Sequence, residues 1–156
     1  MNWREHPILK KLSPPDYPDD VPAIIHEGFR AATHTPERVW IRISDMRDSI
    51  LTGTLLNAPH QLPSLSQGKV YSFQLSGAGI PILVSESYLR EIVDWRFAIA
   101  CKKCGNDVLF DNPSTIIRMA FPNIPEGSLM DAFSTFCPLC HDPIVLRHRN
   151  APPDEP

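Results

Sequence analysis

Four cysteines in two pairs are the residues of this chain whose type and spacing most clearly indicate chemistry. Cys101 and Cys104 form one C-x2-C pair, and Cys137 and Cys140 form a second pair after the spacer 105–136. Two such pairs supply the four thiolates of a tetrahedral structural zinc site, in which each Zn–S distance is about 2.3 Å. We therefore predict that these four residues bind one structural Zn²⁺ ion as the two knuckles of a zinc ribbon.

The residues around each pair support this interpretation. Gly105 follows the first pair and His141 follows the second, and both residue types tolerate the positive φ that a metal knuckle often needs. A strand-like run comes next in each case, Val108–Phe110 and Ile144–Leu146. The spacer exceeds the usual length of about 15–20 residues. The sequence therefore predicts an inserted segment, which we place at 114–130.

Three other cysteine chemistries compete with structural zinc. Two disulfides are disfavoured in a reducing compartment. Thiol redox chemistry is suggested by the C-P-x-C spelling of the second pair, but Pro143 blocks the helix that must follow such a motif. The zinc deaminase signature H-x-E is missing, because His26 and Glu27 are adjacent. Since four thiolates leave no open position for water, we predict a non-catalytic metal.

Nothing else in the sequence assembles a catalytic set. No P-loop, G-x-S-x-G or G-x-G-x-x-G motif is present. No two histidines lie three or four residues apart, and we interpret all six as surface or capping residues: His6, His26, His34, His60, His141 and His148. We therefore predict that the protein is not an enzyme.

The net charge of the chain argues against a protein that binds nucleic acid mainly by neutralising its phosphates. The chain carries 15 basic and 18 acidic side chains, a net charge of −3, whereas nucleic-acid binders normally carry a basic surplus. Lys102, Lys103, Arg147 and Arg149 nevertheless lie close to the cysteine pairs. They can offset the charge of a thiolate site, and they keep a nucleic-acid-associated zinc ribbon open as an alternative function.

Prolines limit the elements that position these residues, because 17 of 156 residues are proline. We predict an extended arm over 1–20. A helix follows, capped by Asp19 or Asp20 with Pro22 in its first turn. Its apolar stripe and end are Val21, Ile24, Ile25, Phe29, Ala32 and the Thr35-Pro36 step.

Alternating residues then predict strands at 39–43, 49–56, 69–75 and 82–84, with a turn at 45–48 between the first two. Ser85 caps a short helix that ends near Trp95. The predicted fold class is α+β, with the N-terminal helix on a small, mainly antiparallel sheet that is followed by the zinc ribbon. We expect a first unit at 1–97, the ribbon with its insertion at 98–149, and a disordered tail at 150–156.

An ordered series of motifs spans about residues 22–97. Glu37 and Trp40 form E-x-x-W, residues 53–59 read G-T-L-L-N-A-P, Gly68 marks a turn, and residues 92–95 read I-V-D-W. This series resembles a small bacterial β-rich family of unknown function, some of whose members look like immunity proteins that neutralise toxins. The resemblance implies such a role here, although that family does not normally include the cysteine pairs.

Together these observations predict a non-catalytic interaction protein. The chain contains no apolar run long enough to span a membrane and no leader-like start, so we expect a cytoplasmic location. The expected partner is a protein, most specifically a cognate toxin, and the mild acidity would suit a cationic target. A nucleic-acid-associated module is the alternative, and a metal or thiol enzyme is a third, less favoured hypothesis.

Overall fold

A computed structural model describes residues 2–28, 36–97, 100–123 and 131–149, and it has an α+β architecture. A closed five-stranded barrel comes first, and a small antiparallel sheet with the four cysteines beside it follows. After a 3₁₀ turn at Trp3–Glu5, the elements are α1 (Pro7–Leu12), β1 (Asp20–Ile25), β2 (Glu37–Arg47), β3 (Ile50–Leu55), β4 (Val70–Leu75), β5 (Pro81–Val84), α2 (Glu86–Ile92), β6 (Trp95–Phe97), α3 (Pro113–Ala120), β7 (Ala132–Phe136) and β8 (Pro143–His148).

The barrel follows from the alternation of apolar and polar side chains along its strands. In β2, Val39, Ile41 and Ile43 are buried in the barrel, whereas Arg38 and Trp40 point outwards. Successive strands pair antiparallel from β1 to β5. Closure is parallel, and in the described residues β1 and β5 pair at one position, Ile24 with Ile82. The predicted sheet is therefore rolled up into a barrel.

A β-bulge in β2 lies beside Gly53 of β3. The register of β2 against β3 shifts between Ile43 and Asp45, and Gly53 pairs with Ile43 beside this shift. A Cβ atom on Gly53 would lie 3.1 Å from Ile41 Cδ1 and 3.3 Å from the Arg42 carbonyl oxygen. The absent side chain thus allows the two strands to approach closely.

The predicted helix after Asp19 or Asp20 is wrong, because Asp20–Ile25 is strand β1. Val21 and Ile25 fit a helical stripe, but they also share one face of a strand with Ala23, and all three are buried. Pro22 lies opposite Trp40, whose backbone N–H and carbonyl bond towards Asn57 and Leu56 rather than towards β1. At this position the β1–β2 ladder needs no N–H donor, so Pro22 does not interrupt it. Phe29, Ala32 and Thr35 lie outside the described residues.

Two further boundaries differ from the sequence prediction. The segment 1–20 is not an extended arm, because Pro7 begins helix α1 and His6 Nδ1 accepts the Ile8 N–H at 3.2 Å. The predicted turn at 45–48 begins too early, because β2 continues to Arg47 and the chain reverses at Asp48, which has a φ of 55°. The Ser85-capped helix is confirmed as α2, in which Ser85 Oγ accepts the Tyr88 N–H.

The second sheet has the order β6-β8-β7 and shares its hydrophobic core with the barrel surface. Ile144–Leu146 is confirmed as part of β8. Val108–Phe110 is not a strand: the Val108 N–H donates to Asn106 Oδ1 and the Leu109 N–H to Tyr88 Oη, so side chains replace a sheet partner. The third strand is β6, which precedes the first cysteine pair. The boundary after residue 97 stays a prediction, and the tail 150–156 lies outside the described residues.

Candidate metal centre

The four predicted cysteines come together at one point. All four Sγ atoms lie within 4.8 Å of one another. The Cys101–Cys140 sulfurs are 3.4 Å apart and the Cys104–Cys137 sulfurs are 3.6 Å apart. These distances are too long for disulfides, which measure about 2.05 Å. They are close to the ~3.8 Å edge of a tetrahedron with Zn–S distances of 2.3 Å. The cluster could therefore hold one metal ion such as zinc.

Two knuckles with the same backbone pattern present the sulfurs. In the first, the Gly105 N–H donates to the Cys101 carbonyl at 2.7 Å; in the second, the His141 N–H donates to the Cys137 carbonyl at 2.9 Å. The residue after each pair has a positive φ, 81° at Gly105 and 67° at His141, as the sequence predicted. Each turn thereby directs two side chains towards the same point.

A buried asparagine supports the cluster, and the sequence analysis did not identify it. The Asn106 side chain is fully buried, and its Nδ2 donates to the Val108 carbonyl at 2.8 Å and faces Cys137 Sγ at 3.6 Å. Its Oδ1 accepts the Val108 N–H. Its backbone carbonyl accepts the Cys101 N–H, closing the first knuckle. The only signal in the sequence is its place directly after Gly105.

Backbone hydrogen bonds and burial shift the pKa values of two cluster thiols in opposite directions. Hydrogen bonds from the Cys104 backbone N–H and from the Cys140 thiol lower the pKa of Cys101 to about 7. Burial raises the pKa of Cys104 to about 12. Of these two thiols, Cys101 is therefore the more easily deprotonated, whereas burial disfavours the thiolate of Cys104.

Close backbone contacts attach the first knuckle to the barrel. Gly77, in the turn before β5, lies directly against Gly105: a Cβ on Gly105 would be 2.9 Å from the Gly77 carbonyl oxygen. The Gly77 N–H donates to Asp107 Oδ1 at 2.9 Å. From α2, Tyr88 Oη accepts the buried Leu109 N–H at 3.0 Å. The candidate metal centre is thus positioned by the barrel as well as by its own knuckles.

A cleft of about 290 Å³ between the barrel and the segment at 110–111 is lined by residues that include His26, Ser85 and Asp111. This combination does not form a nucleophile and base. His26 Nε2 lies 2.8 Å from the Leu83 carbonyl, Nδ1 accepts the Gly28 N–H, and the ring stacks on Phe110 at 3.9 Å. Burial lowers the pKa of His26. Ser85 Oγ is already the cap of α2. The imidazole therefore joins β1 to β5 as a neutral ring.

The other histidines and the basic residues do not join the sulfur cluster. His6 caps α1, His148 packs edge-on against Trp95, and His34 lies outside the described residues. Asp94 and Trp95, the last two residues of the I-V-D-W motif, have structural contacts. The Trp95 indole is buried, and the Asp94 carboxylate lies 3.2 Å from the Arg149 guanidinium. Lys102 and Lys103 are exposed in the first knuckle.

Comparisons with family models, curated proteins and solved structures find no match to this chain. The family resemblance of residues 22–97 therefore stays a prediction. In the described residues, no helix has both the length and the apolarity needed to cross a membrane.

Proposed function

We propose that this protein is a non-catalytic protein-binding module whose second unit is stabilised by one structural Zn²⁺ ion. The observation that supports this proposal is the closed four-sulfur cluster at the junction of the barrel and the second sheet. Cys101 and Cys137 are buried, so the ligands themselves shield the ion from solvent. A site of this kind stabilises a fold rather than activating water.

The donor set fits zinc in type, number and spacing. Cys101, Cys104, Cys137 and Cys140 are soft ligands, and four thiolates around Zn²⁺ carry a net charge of −2, which makes the ion a poor Lewis acid. When bound, zinc would hold the two knuckles at a fixed distance. Asn106 and the knuckle N–H groups would stabilise the thiolate charge by hydrogen bonds.

Metal analysis and cobalt substitution test the proposed site. The purified protein should contain one zinc per chain, and Co²⁺ in its place should give the intense absorption of a tetrahedral thiolate complex. The same measurement on Cys104→Ser should show a weakened thiolate band. A protein without zinc, or a metal with water in its coordination shell, would contradict a structural site.

The most specific form of the proposal is a bacterial immunity protein that binds and neutralises a toxin. Its support is the motif series from Glu37 to Trp95 and the lack of an assembled catalytic set in the described residues. Co-expression with the product of the adjacent reading frame is the test. We expect that product to arrest growth alone and to be harmless beside this protein. A harmless neighbour, or killing that persists, would rule out the immunity role.

A nucleic-acid-associated function is the second candidate, because one face of the second sheet carries arginines and exposed apolar side chains. Arg96 and Arg147 are paired across β6 and β8, so both lie on the face that also carries Val145. Phe136 is 59% exposed on the neighbouring strand. Exposed aromatic and basic residues bind single strands by stacking and phosphate contact. Binding of oligo(dT) that weakens steeply with salt and is lost in Arg147→Glu would support it; no binding at low salt would exclude it.

A further inference from the structure

A groove on the outside of the barrel is lined by apolar and cationic residues, as expected of a docking site. Its residues lie far from the cysteines in sequence. It lies between helix α1 and the outer face of β1 and β2, and its volume is about 400 Å³. Apolar and cationic residues line this groove: Lys11, Leu12, Pro22, Arg38, Val39 and Trp40. Neither the metal centre nor the sheet face with Arg96 and Arg147 includes any of these residues.

Trp40 is the most unusual residue of this groove. A tryptophan is normally well buried, but this side chain is 40% exposed on the outer face of β2. Its backbone is held firmly, since its N–H donates to Asn57 Oδ1 at 2.6 Å and its carbonyl accepts the Leu56 N–H at 2.9 Å. A rigid strand therefore presents the indole to solvent, which lowers the entropic cost of binding against it.

The charge of the groove indicates the sign of its partner. Within the described ranges, Lys11 and Arg38 have no ion-pair partner. The neighbouring carboxylates are already engaged. Asp19 pairs with Arg4 at 2.8 Å, Asp20 pairs with Arg42 at 2.8 Å, and Glu37 accepts the N–H groups of the loop at 60–61. Since the residues that line the groove include two cations and no carboxylate, its lining is cationic on a chain whose net charge is −3.

We propose that this groove binds a short acidic segment of a partner protein, with one apolar side chain of that segment packed against Trp40 and its carboxylates near Lys11 and Arg38. The proposal rests on the proposed protein-binding function and names its surface. Tryptophan and arginine contribute much of the binding energy at protein interfaces. Opposite charges align the partners and raise their association rate. A single-stranded nucleic acid fits less well, because it requires a longer track of cations and several stacking rings.

Peptide titration against the full-length, zinc-loaded protein tests the proposal. The probe is a fluorescein-labelled decapeptide of Glu and Asp with one central Leu-Phe pair. It should bind measurably at 50 mM salt and at least tenfold more weakly at 300 mM. Three control probes should bind at least tenfold more weakly at 50 mM: the Lys-substituted peptide, the acidic peptide without the Leu-Phe pair, and oligo(dT). Equal binding of the charge-reversed peptide, preference for oligo(dT), or no binding of the acidic probe would overturn the proposal.

Variants locate the binding surface. Trp40→Ala should weaken binding about 30-fold, the usual effect of truncating an interface hot spot. Arg38→Glu should weaken it about tenfold or more and keeps the test valid if Trp40→Ala folds poorly. The matched controls are Arg47→Glu, on the same strand with its side chain 88% exposed, and Tyr17→Ala, an aromatic residue 59% exposed. Controls that weaken binding as much as the groove variants would overturn the assignment.

Different results would contradict the proposal for the groove and the proposal for the immunity role. If the protein protects cells from the neighbouring toxin and Arg38→Glu protects equally well, the function stands and the groove is wrong. If the acidic peptide binds in an Arg38- and Trp40-dependent manner but no protection occurs, the groove stands and the immunity role is wrong.

Discussion

The barrel and the cysteine-bearing sheet obtain their stability in different ways. The barrel has five strands of four to eleven residues, and its core consists of side chains from its own strands together with α1 and one loop residue, Leu62. The second sheet has three strands of three to six residues. Its core borrows Ile82 and Val84 from β5 and Tyr88 from α2. The first unit is thus largely self-sufficient, whereas the second depends on the barrel and on the sulfur cluster.

This difference shows why a closed four-thiol site belongs at this place in the fold. A small sheet cannot bury enough apolar surface to fold by itself, and structural metals commonly compensate in such units. Here the shared core also means that a bound metal would affect the barrel, because it would stabilise the residues that cover Ile24, Ile82 and Val84. The following predictions test how independent the two regions are.

Removal of the metal should have the largest effect. We expect Cys137→Ser, or a strong chelator, to cost several kcal/mol of stability, since zinc binding to a site of four thiolates supplies folding free energy directly. Amide hydrogen exchange should show loss of protection in β7 and β8 while β2 and β3 stay protected. Ser134→Ala, on the exposed face of β7, is the control and should change neither region. Equal loss in both regions would mean that the barrel is not self-sufficient.

Gly77→Ala should loosen the attachment between the regions. The new Cβ would meet the Gly105 carbonyl group, backbone against backbone, so the knuckle must move. We expect a loss of about 3 kcal/mol, at the upper end for overpacking, and a weaker affinity for zinc in a competition titration. Gly79→Ala in the same turn meets nothing within 4 Å but has a φ of +83°, so it should cost about 1–2 kcal/mol in the turn. An unchanged zinc affinity in Gly77→Ala would refute the coupling.

Two tyrosine-to-phenylalanine changes compare buried and accessible hydrogen bonds. Tyr88→Phe removes the acceptor of the buried Leu109 N–H and should cost about 1–3 kcal/mol in chemical denaturation. Tyr71→Phe removes the acceptor of the Ser66 N–H on the partly exposed side of the barrel, where water can replace it. It should cost less than about 1 kcal/mol. Equal losses would show that the Tyr88 bond has no special role at the junction.

The smallest expected effect is a pH dependence at His26. Burial lowers its pKa in the folded protein below the ordinary 6.5, so the unfolded chain takes up a proton first as the pH falls. The associated stability is fully present above about pH 6.5 and is lost below it, at up to about 1.4 kcal/mol per pH unit. Comparison of wild type with His26→Gln from pH 8 to pH 5 isolates this effect, because both share the acid sensitivity of the thiolates. Parallel curves would contradict it.

Local patterns with a specific physical cause could be predicted from the sequence. The paired cysteines and the residues with positive φ, Gly105 and His141, follow from the geometry that a metal knuckle requires. The Ser85 cap and the alternation of Val39, Ile41 and Ile43 are equally direct signals. Each of these features depends on residues within a few positions along the chain, so the sequence alone is enough to predict it.

Features that depend on distant partners could not be predicted. The run from Val21 to Ile25 fits both a helix and a strand, and its pairing with β2 and β5 decides the outcome. Val108–Phe110 looks like a strand, but its amides bond to Asn106 and Tyr88 side chains instead. Asn106 itself gains its role only once the two knuckles meet.

Within the described ranges β1 and β5 pair only between Ile24 and Ile82, and this has a consequence for the protein when zinc is scarce. These residues pack against the core of the cysteine-bearing sheet, so unfolding of that sheet would uncover and weaken the seam at which β1 and β5 close the barrel. Unpaired strand edges recruit other chains. Zinc starvation should therefore lead to self-association of the protein before its barrel unfolds.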